Sequence, residues 1–157
     1  MARTSVEDPL KVFRFIVEVD GMKRAGFMEC TGIEQVTEET KYREGGHNDT
    51  TQKSAGLTEF GDITLKRGQI LDEGQNDFGD WAKEVIDVTA LGGATRDYRR
   101  DIDIVQFERG GFEVKRTRVE NCWVKRFKPF GDLNGMSSDN SIQELGLSNE
   151  GFYPASV

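Results

Sequence analysis

The stretch Lys41–Gly68, KYREGGHNDTTQKSAGLTEFGDITLKRG, decides how the chain is read. Its centre, Glu44 to Gly56, is EGGHNDTTQKSAG, small and polar, with no apolar residue before Ala55. Neither a helical nor an alternating period runs through it, so it has no face of its own to bury. From Leu57 onward the character changes. Leu57, Phe60, Ile63 and Leu65 are set among Thr58, Asp62, Thr64 and Lys66, and Ile63 to Lys66 alternates as a half-buried strand does. A loop of about a dozen residues between strands is long for a compact domain, and such loops are functional or disordered. The reading adopted is an arm, residues 41–56, that orders against a neighbouring molecule. The plainer alternative is a floppy surface loop.

Outward from the arm, the chain reads as one domain over residues 1–157. Met1 to Pro9 is a tail, and Val12 to Val19 (VFRFIVEV) is a strand with Phe13, Phe15, Val17 and Val19 on one side. Asp20-Gly21 signals a hairpin, and the return strand starts near Arg24. Gly32 marks a bulge or bend in it, beyond which the strand turns polar on both faces and has to protrude or pair with another chain. After the Leu57–Arg67 strand and a polar linker, Phe78, Trp81, Ala82, Val85 and Ile86 fall on one face of a helix. Asn76 or Asp77 caps its start and Gly92-Gly93 follow its end, before a charged connector from Ala94. Asp101 to Phe107 alternates with Ile102 and Ile104 inward; Gly110-Gly111 turns the chain into a long strand, Phe112 to Phe127. Its apolar parity switches between Val114 and Val119, which requires a bulge or a strong twist there. Ser141 to Leu147 is a last strand, and EGFYPASV a short Pro-containing tail. About six strands and one helix follow. The bends favour a small antiparallel β-barrel, closed or nearly so, with the helix against one side.

Composition narrows the function. Against 21 Lys and Arg stand 28 Asp and Glu, a net charge of −7. That excludes a basic nucleic-acid face and docking on an anionic membrane. Cys30 and Cys122 are apolar filler in strands and form no disulfide framework. The N-terminal residues lack the apolar run of a signal peptide, so the chain is expected to be made in the cytoplasm. The single histidine, His47, has no metal-ligand spacing around it and no nucleophile motif with Ser54 or Cys30; GGHND lacks the Lys and helix of a phosphate loop. No catalytic residue, metal or cofactor is expected.

The motifs together resemble a known family. YREGG at Tyr42–Gly46, the Thr-rich loop and GLTEFGDITLKRG at Gly56–Gly68 are similar to the inner tube (tail tube) protein of contractile phage tails and contractile injection systems, the T4-type tail-tube family. FRFIVEVDGMKRAGFMECTGIE, FEVKRTRVENCWVKRFKPFGDLNG and SIQELGLSNEGF extend the resemblance over nearly the whole chain. It implies a mostly-β, Hcp-like barrel, hexameric rings stacked into a tube, and a lumen that conducts DNA or effector cargo. The partners it implies are further copies of the chain, a sheath, baseplate or hub and terminator proteins, and a tape-measure protein or effector inside; the implied location is the assembled tail or injection particle. On this reading Tyr42, Arg43, Glu44, Gly45, Gly46, His47, Asn48, Thr51 and Lys53 form the inter-subunit arm, and Asp101, Asp103 and Glu108 are candidates to line the lumen. Two readings from other classes compete. One is a free-standing ligand-binding barrel with Trp81, Trp123 and Phe127 around a pocket. The other is a small hydrolase using paired carboxylates such as Asp101 and Asp103.

Overall fold

The computed structural model describes residues 14–20, 26–46, 50–69, 77–90 and 98–156. The N-terminal tail, Val12, Phe13, Gly21, Arg24, His47, Asn48, the cap Asn76, the Gly92-Gly93 stop and the connector from Ala94 lie outside them. Among the described residues the order is β1 (Phe15–Val19), β2 (Glu29–Thr31), β3 (Gln35–Tyr42), β4 (Gln52–Phe60), β5 (Ile63–Gly68), α1 (Asp77–Ala90), β6 (Arg100–Phe107), β7 (Glu113–Lys128), β8 (Ile142–Ser148) and β9 (Gly151–Ala155). The chain is mostly β, with one helix and antiparallel ladders throughout.

Seven strands form one sheet in the order β1-β6-β7-β8-β5-β2, with β9 also paired to β7. The long strand β7 joins its parts. Its first half lies between β6 and β9, and its second half pairs with β8. The partners run from Arg116↔Ala155 through Glu120↔Gly151 to Trp123↔Ser148, so β8 and β9 are one bent strand broken only at Asn149-Glu150. Asn121 opposite that break has φ 51, a left-handed conformation that asparagine tolerates better than most residues. Among the described residues no ladder joins β1 to β2, the two ends of the path.

Three departures from the sequence reading have simple causes. The return strand splits at Gly32, which has φ +88 and where a Cβ would lie 2.0 Å from the Asp62 carbonyl oxygen. Only glycine fits there, and the chain changes sheets at that point. The expected Leu57–Arg67 strand is likewise two strands, separated by Gly61-Asp62. The C-terminal stub contains β9; its Pro154, opposite Thr117, is tolerated because β9 lies at an edge. The bulge expected between Val114 and Val119 is placed at the flanks of that interval: the β6–β7 register slips beside Val114 and again between Val119 and Cys122.

The helix packs over the sheet through Phe78 and Trp81, which join Val17, Val19, Ile63, Leu65, Ile102, Ile104, Val119, Cys122, Leu145 and Leu147 in the core. Trp81 is fully buried, and its indole N–H donates to the Tyr98 carbonyl at 2.7 Å. Arg67 is buried beneath the helix, with its guanidinium 4.5 Å from the Phe78 ring centre and its Nε donating to Gln143. Such a charge is tolerated because the ring face and a hydrogen bond replace part of its hydration. Ile86, expected on the buried face, is 64% exposed instead.

Candidate functional site

The polar stretch that opens the chain's reading is a β-hairpin standing off the main sheet. β3 and β4 pair only with each other. All eight residues of β3 and all of β4 except Phe60 are exposed. The arm is therefore longer than residues 41–56 and is stiffened by a ladder. Its root is fixed. Gly61 N–H donates to the Glu34 carbonyl at 3.0 Å, Asn149 Nδ2 donates to the Gly61 carbonyl at 2.8 Å, and Phe60 meets Phe152 edge-on at 5.6 Å.

Strand alternation gives the hairpin two faces. One carries Thr37 and Thr58, whose hydroxyls meet at 2.9 Å, and the Lys53–Glu39 ion pair at 3.1 Å. The other carries Val36, Glu38, Thr40 and Tyr42 from β3, with Glu59 and Leu57 from β4. Val36, Tyr42 and Leu57 are 55%, 58% and 75% exposed. Two strands alone are marginal in water, and three bare apolar side chains on one face add an unmet demand for burial.

The proposed arm residues fall at the distal end of this hairpin. Tyr42 ends β3, opposite Gln52. Arg43 Nη2 donates to Thr51 Oγ1 at 3.1 Å, closing the base of the tip. Glu44 and Gly45 follow, and Gly46 has φ +105. Lys53 is in β4, and His47 and Asn48 lie outside the described residues.

A second surface is the charged side of β1, β6 and β7. Asp101 and Asp103 alternate with buried Ile102 and Ile104, as the sequence implies, and so project away from the core. They do not stand free. Arg116 bonds Asp103 at 2.8 Å, Glu18 at 2.9 Å and Glu113 at 2.8 Å. Arg118 bonds Asp101 at 3.0 Å, Asp20 at 3.1 Å and Asp103 at 3.4 Å. Five carboxylates thus surround two guanidiniums, a surplus of three negative charges. The Asn121 backbone N–H, helped by Arg118, holds the Asp101 carboxyl below its usual range against the opposing effect of burial. Arg116 is held well above the ordinary arginine range, first by Glu113 and then by Glu18. Glu108 lies apart in the β6–β7 turn, where Arg14 donates to its carbonyl at 3.0 Å. The sequence reading missed Glu18, Asp20, Glu113, Arg116 and Arg118 as members of this lattice. The signal was there in part: Arg116 and Arg118 alternate on the same side of β7.

The aromatic pocket reading divides. Trp81 is an anchor inside the core. Trp123 and Phe127 line an open groove between α1 and the second half of β7. Burial pushes the thiols up, Cys30 to about 11 and Cys122 to about 12, which leaves both as poor nucleophiles.

The family model of T4-like virus tail tube protein gp19 matches residues 11–153. No curated protein matches. Among solved structures, the tube terminator structure of an extracellular contractile injection system (PVC sheath/tube terminator, extended state) is similar, with TM-score 0.80, 24% identity, and 97% of this chain and 100% of that chain covered. The PVC sheath–tube complex gives TM-score 0.74, 23% identity, and 97% and 95% coverage. Hcp1 from Flavobacterium johnsoniae gives 0.55, 12%, and 90% and 94%. At these identities the likeness is one of fold.

Proposed function

The chain belongs to the family of the T4-like virus tail tube protein gp19 and is a structural tube subunit, and from that premise we propose how it builds its tube. Copies close into hexameric rings, and the rings stack around a lumen that passes DNA or effector cargo. The 157 residues act as one tube domain. The observation that carries the reading is the β3–β4 hairpin, which is hydrogen-bonded yet exposed on both faces. An isolated ribbon of this kind gains little by standing in water and much by lying against a neighbour. Tyr42, Arg43, Glu44, Gly45, Gly46, His47, Asn48, Thr51 and Lys53 form the part of it that reaches furthest.

Asp101, Asp103 and Glu108 line the lumen in this proposal. The lattice supports that role physically. Both guanidiniums are occupied by carboxylates, and the surplus charge is negative, so a passing polyanion meets repulsion and few available cations. The partners are a sheath, a baseplate or hub and a terminator, in an assembled tail or released injection particle. The similar solved structures come from a sheath–tube complex and a sheath/tube terminator, which supports that list.

Negative-stain microscopy and sedimentation velocity over a concentration series test the proposal. Rings or tubes that grow with concentration are the expected result. Uniform small particles at every concentration would overturn it.

A further inference from the structure

A groove between α1 and β7 opens on the surface. It holds about 530 Å³ and is floored by Ala82, Val85, Ile86, Trp123 and Phe127. Asp80 and Lys83 stand at its rim, and Lys83 has no ion partner among the described residues. Lys125, on the β7 side, is held by Asp62 at 2.6 Å. Ile86 is 64% exposed although it sits on the apolar side of an amphipathic helix. Among the described residues nothing covers it.

The hairpin face described above is a match for this groove. It presents Leu57 and Val36, and beside them Glu38 and Glu59, two carboxylates without ion partners among the described residues. An exposed leucine flanked by acids faces the same problem as the groove's apolar floor, and at Lys83 the groove offers the opposite charge. One molecule cannot solve it internally as it stands. The hairpin root is clamped by Glu34 and Asn149 at Gly61, and among the described residues β3 and β4 pack on each other rather than on α1.

We propose that the groove receives the β3–β4 hairpin of a second copy, with Leu57 seated over Ile86 and Glu59 beside Lys83. This rests on the tube reading and names the contact that reading requires. The contact is heterologous: each copy gives its hairpin to one neighbour and receives one from another, so the contact propagates from copy to copy. Apolar burial supplies the attraction, and the Lys–Glu pairing fixes which way the ribbon lies.

Two variants in separate molecules test it. A size-tagged Ile86→Cys chain is mixed with a Leu57→Cys chain, allowed to assemble, and oxidised. Both positions are exposed, so both variants fold as the parent does. The expected result is a disulfide-linked heterodimer band, absent when either partner is wild type. In parallel, Lys83→Glu raises the concentration needed for assembly about tenfold, the factor that corresponds to 1.4 kcal/mol. The charge swap Lys83→Glu with Glu59→Lys restores it. A mixture of the two cysteine variants that assembles without the heterodimer band, or a Lys83→Glu chain that assembles at the parental concentration, overturns the groove and leaves the tube standing. A wild-type protein that never assembles removes both.

Discussion

Excision of the hairpin separates folding from assembly. Val36 and Glu59 are cross-strand partners, so residues 37–58 can be replaced by a two-residue Asn-Gly turn that joins them with no change of register. No described residue from Gln35 to Glu59 belongs to the core. Changes to exposed positions outside special features usually alter stability by less than about 0.5 kcal/mol, and a free two-stranded ribbon is marginal by itself. The urea midpoint of the shortened chain is therefore expected within about 0.3 M of the parent, taking a slope of about 2 kcal/mol/M. Assembly is a different matter. Excision removes Leu57 and Tyr42, now 75% and 58% exposed. Seating two such side chains on a neighbour contributes about 1.5 kcal/mol each at the low end of the range for full burial. Losing about 3 kcal/mol raises the concentration at which tubes appear by about two orders of magnitude. Light scattering and negative-stain counts over a dilution series measure that threshold, and urea unfolding followed by tryptophan fluorescence measures the fold. Tubes formed by the shortened chain at the parental threshold would refute the assembly role. A chain that no longer folds would refute the claim that the hairpin is peripheral to the core.

Three further outcomes follow from single contacts. Trp81→Phe keeps an aromatic ring in the core but strands the Tyr98 carbonyl, costing about 1–3 kcal/mol, whereas Trp81→Ala also leaves a larger cavity and costs about 3–5 kcal/mol; urea titrations with Trp123 as reporter distinguish them, and a Trp81→Phe chain as stable as the parent would discredit the hydrogen bond. Gly32→Ala drives a methyl onto the Asp62 carbonyl in a left-handed backbone and lowers the melting temperature by about 5 °C or more; an unchanged melting curve would show that the β2–β3 break does not need that conformation. Asp101, whose folded carboxyl is held below its unfolded value, contributes stability above about pH 4 that is lost as pH falls through the folded value, so the gap in urea midpoint between the parent and Asp101→Asn narrows from pH 6 to pH 2; a gap that stays constant would contradict the role of the Asn121 and Arg118 bonds.

What was legible in the sequence was whatever has a local period. Ile102 and Ile104 in β6, the Phe78–Trp81 face of α1 and the turn at Gly110-Gly111 need only their neighbours to be read. The need for a break at Gly32 was legible too, because glycine inside a strand has few other uses, but its cause, the Asp62 carbonyl, is thirty residues away. The hairpin was half legible. Residues polar on both sides of a strand signal that it leaves the core, yet nothing in Gln52 to Gly56 alternates in hydropathy, so the second strand looked like loop. Its strand character comes from pairing with β3, a partner no period reports. β9 was hidden by Pro154, which argues against a central strand but not against an edge. The charge lattice was illegible for a related reason: Arg116 and Glu18 are 98 residues apart and meet only because β6 lies between their strands.

The placement of charge bears on why one acidic subunit tolerates so many copies of itself. A net charge of −7 on each copy opposes close stacking, and the opposition grows with every ring. The sheet answers part of this within the subunit. Arg116 and Arg118 draw five carboxylates from three segments into one bonded patch, so charge that would otherwise face a neighbour is spent locally, on a surface we propose lines the lumen. On one face of the hairpin, Glu38 and Glu59 stand beside a bare leucine without ion partners among the described residues. A surface that repels in general and attracts in one orientation favours repeated addition over indiscriminate aggregation. The hairpin's polarity, which makes it look like a useless loop in isolation, is then what keeps the free subunit soluble until a second copy offers the matching face.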